Sequence, residues 1–197
     1  MKKNLLFLIF CTCIGFGQDV GETSKQFQEQ LNKDFANADK TPLEKTDLST
    51  FKSLDFFSIN DAFIVKAQLI LTKDATVFEM KTTTSRLPKY KKYGELIFKI
   101  NTTEYKLNVY INLDLIKKEG YEDYLFLPFS DLTSGKESYI GGRYIDLRIS
   151  NSDEMILDFN KAYNPYCAYS SRFSCPLVPL ENHLEVAILA GVKKFHD

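Results

Sequence analysis

The chain has little of what most enzymes use to move protons or attack bonds. Only two of its 197 residues are histidine, His183 and His196. His196 stands beside the chain end, where order is least expected. No serine occupies a G-x-S-x-G elbow, the strained turn that lifts a hydrolase nucleophile into reach. Thr133-Ser134-Gly135-Lys136-Glu137 resembles a phosphate loop but lacks its first glycine, being Ser130 there, and its last hydroxyl, being Glu137. A solvated turn is expected instead. An excess of one charge is missing too: 25 basic against 26 acidic residues leave a net of −1. Such a chain has no electrostatic reason to seek nucleic acid or an anionic membrane. After the first residues, no apolar run approaches the roughly 20 residues of a transmembrane helix. No motif asks for a cofactor or a metal, and none is expected. Internal repeats, low-complexity tracts and inter-domain linkers are also absent.

The first residues read as an address. Lys2 and Lys3 precede an apolar run from Leu5 to Ile14, and Gly15-Phe16-Gly17 closes it before polar Gln18 and Asp19. That is the layout of an export signal over residues 1–17, and the alternative is an N-terminal helix packed on the domain. The protein is therefore expected in the periplasm or outside the cell. A lipid anchor on Cys11 or Cys13 is disfavoured by Phe10 and Thr12 before them. Cleavage leaves 180 residues, enough for one domain with a real core, and drops the basic count to 23, for a net of −3. Cys167 and Cys175 then remain as an even pair, and an oxidising compartment favours a disulfide between them. Closing so short a loop stabilises by ~2–3 kcal/mol in the chain-entropy model. A metal site shared with His183 is the sharper alternative, but zinc ligands usually come in closer pairs.

Residues 18–55 carry helical spacing. Phe27, Leu31 and Phe35 recur every fourth residue, with Ala38 continuing the stripe. Thr41-Pro42-Leu43-Glu44 reads as a capping box with proline at the first helical position, opening a short second helix toward Phe51 or Leu54. From Phe56 the period changes to two. Strands are expected at 63–71, 77–81, 95–100, 105–111, 124–129, 143–149, 154–159 and 184–190, with a hairpin at Asn101-Thr102. Lys89-Tyr90-Lys91-Lys92-Tyr93 reads as a solvated strand start. The fold class is mainly β: residues 56–197 form an antiparallel barrel or sandwich, with one or two N-terminal helices laid on it as part of one globular unit.

The region from Tyr121 to Gly191 concentrates tyrosine, phenylalanine, proline and single carboxylates, the composition of a structured loop or a pocket wall. Gly141-Gly142-Arg143 is either a ligand-clasping turn with a bidentate arginine or a strand entry whose arginine pairs with Asp131, Glu137 or Asp146. Asp146 shares a sheet face with Tyr144, so an inward Tyr144 makes Asp146 a buried carboxylate in need of a partner. Asp158, Asn160, Tyr163 and Asn164 surround a strand end. They either bond the local backbone or rim a polar pocket, with Tyr163, Tyr166 and Tyr169 as stacking surfaces. Two-carboxylate hydrolysis needs partners about 5–10 Å apart, for which Asp131, Glu137, Asp146 and Asp158 are the candidates.

Several ordered motifs carry a resemblance. These are Phe129-Ser130-Asp131-Leu132-Thr133-Ser134-Gly135, Glu137-Ser138-Tyr139, Gly142-Arg143, Asp158-Phe159-Asn160-Lys161-Ala162, Cys167-Ala168, Cys175-Pro176, Glu181-Asn182 and Ala190-Gly191. Together with Leu54-Asp55-Phe56-Phe57 they resemble the uncharacterised family catalogued as domain of unknown function 1684. Val178 stands where relatives often carry proline. The resemblance implies a shared layout and no established activity. Asn182 joins the candidate ligand-binding residues Asp131, Arg143, Asp158, Asn160, Tyr163 and Asn164. The leading expectation is an exported cell-envelope module that binds a small molecule or glycan or serves a structural role, with the loops over 131–183 gathered at one rim. The alternative is a hydrolase using a carboxylate pair with Arg143.

Overall fold

A computed structural model describes residues 22–196. The expected export signal, Cys11 and Cys13 lie outside the described residues. Helix α1 spans Ser24–Ala36. It opens on a capping box that the sequence reading overlooked: Thr23 accepts from the Gln26 amide while the Gln26 side chain reaches back to the Thr23 amide. Helix α2 is shorter, Lys45–Thr50, with Glu44 as a cap lacking any side-chain bond. The capping box expected at Thr41–Glu44 does not form. Thr41 instead accepts from the Leu43 amide, and the Glu44 carboxylate is taken by Ser170 and Arg172. Ala38 falls beyond α1, which ends at Ala36 with Asn37 as its C-cap.

The remainder is mainly antiparallel β, a single curled half-barrel sheet. Its strands are β1 Ile64–Leu71, β2 Val77–Glu79, β3 Lys89–Ile100, β4 Thr103–Asn112, β5 Tyr124–Asp131, β6 Arg143–Arg148, β7 Glu154–Asp158 and β8 His183–Leu184. Their order is β6-β5-β4-β3-β1-β7, with β2 paired to β3 and β8 running parallel to β5. The β3–β4 hairpin turns at Asn101, whose φ of 54° is the left-handed conformation asparagine tolerates. The strand expected over 184–190 shrinks to its first residue. Beyond it the carbonyls of Ile188 and Ala190 turn to Arg143 and the Ile188 amide turns to Asp131, so they are not free for a ladder.

The sheet is greasy on both faces, and that creates the site. One face carries Leu96, Phe98, Leu107, Val109, Leu125, Leu127, Phe129, Ile145 and Leu157, sealed by Phe159, Leu184, Ile188 and Ala190. The other carries Tyr90, Tyr110, Tyr124, Phe126 and Tyr144. By simple alternation Tyr90 would share the face of Leu96. A bulge between Lys92 and Gly94 shifts the register and moves Tyr90 across. Gly94 is required there, since a Cβ would sit 2.6 Å from the Ile70 carbonyl oxygen. Tyr90 is thus buried rather than part of a solvated strand start. Helix α1 lays Leu31 and Phe35 against Leu43, Leu54, Tyr169 and Val192, closing a third cluster at one end of the sheet.

Candidate functional site

The candidate polar residues divide into separate bonding networks instead of gathering at one rim. Arg143 enters β6 behind Gly142, whose φ of 82° and 2.5 Å approach to the Phe129 carbonyl oxygen exclude a side chain. Its guanidinium pairs with Asp131 at 2.8 Å and donates to the carbonyls of Ile188 and Ala190. Both charged side chains are buried, and Arg143 lies over the Phe129 ring at 5.3 Å. Burial lowers the Arg143 pKa while Asp131 opposes the shift. Asp131 also accepts from the amides of Thr133 and Ile188. This pair therefore rivets the 186–192 segment to the sheet and shows no face to solvent.

Asp158 accepts from Ser24 at 2.6 Å and from the Asn160 amide at 2.9 Å, tying α1 to the end of β7. Asn160 pairs with both the N–H and the C=O of Asn60. Asn164 donates to the Lys193 carbonyl at 2.8 Å. Asn182 bonds the N–H and C=O of Asn108 and the carbonyl of Pro128. Asn160, Asn164 and Asn182 are fully enclosed; Asn160 and Asn182 each act as a substitute peptide group, whereas Asn164 only donates. Of the seven candidates only Tyr163 faces a pocket.

That pocket is an open hollow of ≈ 450 Å³ between α1 and the tyrosine-bearing sheet face. Phe27 and Leu31 come from α1, Tyr124 and Phe126 from β5, Tyr144 and Asp146 from β6, and Tyr163, Tyr166 and Phe173 from the following loops. Asp146 is the one carboxylate lining it among the described residues, and neither lysine nor arginine does so. Its Oδ1 accepts from Tyr124 at 2.7 Å and from Tyr163 at 2.6 Å, meeting the need for a partner that an inward Tyr144 implied. The carboxylate stays open to solvent within the hollow, yet the surrounding rings crowd it. That crowding raises its pKa, while the bonds from Tyr163 and Tyr124 and the charge of Arg148 oppose the shift. Burial and then the Asp146 charge push Tyr124 and Tyr163 upward, so both remain protonated donors at neutral pH. A second hollow of ≈ 540 Å³ over β1 and β3 is an exposed sheet face whose Lys66 and Glu154 pair with each other at 2.9 Å.

Cys175 lines the pocket, and both it and Cys167 are free thiols. Cys175 Sγ accepts from the Cys167 amide at 3.2 Å. The Cys175 side chain, with help from Tyr139 and against the effect of burial, holds the Cys167 thiol down at about 6, and Cys175 is pushed up in return. Iodoacetamide labelling of Cys167 in reduced protein should rise with pH through about 6 and then level off, because the thiolate is the nucleophile. Cys175→Ala should move the midpoint up toward the free-thiol value of about 8.5. A wild-type midpoint at that value would contradict the arrangement. His183 is not part of this pair: its Nδ1 bonds Ser130 Oγ at 2.9 Å, and its Nε2 lies 3.7 Å from the solvent-exposed Glu185.

Against known proteins, the sequence profile of a family described as "Protein of unknown function (DUF1684)" matches residues 49–193. The stretch supplies most of the pocket but not Phe27 and Leu31 of α1. A solution NMR structure of an uncharacterised protein from Haloarcula marismortui is similar at 31% identity and a TM-score of 0.67. The alignment covers 86% of this chain and 91% of that one. No curated protein matches.

Proposed function

The chain belongs to this family of unknown function, and from that starting point we propose that it is an exported binding module of the cell envelope whose small-molecule site is the aromatic pocket around Asp146. One observation carries the reading: a preformed hollow lined by rings with a single fixed carboxylate, the composition of small-molecule sites generally. The hydrolase alternative draws less support. Arg143 is buried with both terminal nitrogens bonded in the core, and the pocket offers one carboxylate where a carboxylate pair would be needed. Export rests on the Lys2-Lys3 start and the apolar run through Ile14. On this proposal the exported form begins at Gln18 and bridges Cys167 to Cys175.

A fragment screen by NMR tests the pocket. Hits should perturb the aromatic resonances of Tyr124, Tyr144 and Tyr163, and Leu31→Trp, which fills the hollow, should abolish them. Hits mapping elsewhere, or unaffected by Leu31→Trp, would overturn the assignment.

A further inference from the structure

We infer, building on the pocket assignment above, that its ligand is an organic cation: a methylated ammonium group, free or heading a larger molecule. The first ground is the shape of the wall. Tyr90, Phe126, Tyr144 and Tyr163 follow one another at centroid separations of 5.8, 4.7 and 5.9 Å, the last two contacts being edge-on at 74° and 89°. Successive perpendicular rings turn some faces and some edges to a guest, and ring faces carry the negative end of the aromatic quadrupole. Several such faces around one cavity attract an alkylated ammonium, which is weakly hydrated and fits against them.

The second ground is the hydrogen-bond inventory. Tyr124 and Tyr163 both donate to Asp146, and Tyr144 donates to the Pro176 carbonyl. The phenol protons at the centre of the wall are thus engaged inside the protein. At that centre what remains for a guest is acceptor-rich, namely the second Asp146 oxygen and the ring faces, with the hydroxyls of the exposed Tyr121 and Tyr166 as further lining groups. An anion finds no positive side chain among the lining residues.

The third ground is charge. Arg148 lies two residues from Asp146 on the same sheet face, but it is paired with Asp123 at 2.6 Å and donates to the Gly120 carbonyl at 2.7 Å. With that pair neutral, an ionised Asp146 leaves one negative charge in the pocket. Arg148 also sits over the rings of Tyr121 and Tyr124 at 5.8 and 5.9 Å, so two of the lining rings already hold one cation.

Calorimetric titration of the full chain with choline and with its neutral carbon isostere, 3,3-dimethylbutan-1-ol, provides the test. Choline should bind at least about tenfold more tightly, and Asp146→Asn should remove most of that advantage. Leu31→Trp should abolish binding of both. Phosphocholine in the same series separates the sources: affinity equal to or above that of choline indicates a headgroup, and weaker binding a free amine. Equal binding of choline and the isostere, or binding of neutral fragments in the pocket without choline, would overturn the cation assignment and leave the pocket assignment intact. If no probe or fragment reaches the pocket, both fail. The isostere comparison on wild-type protein stands even if Asp146→Asn does not fold.

Discussion

Arg143→Met is expected to destabilise the protein by about 3–5 kcal/mol, the cost of leaving one member of a buried ion pair without its partner. Both terminal nitrogens of Arg143 are bonded inside the core. Its guanidinium holds Asp131 at 2.8 Å and the carbonyls of Ile188 and Ala190, and it is flanked by Phe129 and Phe57. Methionine restores the apolar stem but leaves Asp131 Oδ2 buried against nothing. Two carbonyls of the C-terminal segment lose their donor as well. The melting temperature should fall by roughly 6–20 °C, since a kilocalorie shifts a domain of this size by about 2–4 °C. Pairing Arg143→Met with Asp131→Leu should recover part of the loss, because removing both charges avoids the orphaned carboxylate. Arg143→Lys should fail to rescue, as an ammonium cannot reproduce the fork that reaches three acceptors. A loss below about 1 kcal/mol, or ligand binding that falls while stability holds, would return Arg143 to the list of functional residues.

The second large effect is expected from Asn182→Ala. Strands β4 and β5 share one registered pair, Tyr110 with Phe126. Farther along, Pro128 has no N–H to offer a neighbour. The Asn182 amide fills the gap, accepting from the Asn108 N–H at 2.9 Å and donating to the Asn108 and Pro128 carbonyls at 2.8 and 2.6 Å. Alanine leaves one N–H and two carbonyls buried without partners, and the expected cost is about 3 kcal/mol. Chemical denaturation gives the magnitude. Hydrogen exchange should show the Asn108 amide losing protection before its neighbours. An unchanged exchange rate there would mean that Asn182 is not the bridge.

Those two residues show why the fold was more legible than the site. Alternation marked β1, β3–β4, β5, β6 and β7 because half-buried strands impose a period of two on their sequence. The pair Leu125/Leu127 against Tyr124/Phe126 carried a further signal, since a strand apolar on both sides is covered on both sides. The pocket was partly readable from the same alternation: Tyr144 inward forces Asp146 inward, and the partners it needs are Tyr124 and Tyr163. Three things were not readable. The bulge before Gly94 carries Tyr90 to the pocket face, and alternation alone places it on the wrong one. Helix α1 covers that face with Phe27 and Leu31, a long-range contact that no local spacing encodes. Finally, Asp131, Arg143, Asn160, Asn164 and Asn182 look like ligand-binding residues because buried backbone groups demand the same donors and acceptors that ligands do. Sequence alone does not separate the two demands; burial does.

Asp146 and the rings around it form the proposed ligand site. The most direct test is an experimental structure of the protein isolated from its native source. A guest should be seated between Phe126, Tyr144 and Tyr163 within reach of the Asp146 carboxylate. Side chains collapsed into that hollow, or a co-purified ligand bound at another surface, would contradict it.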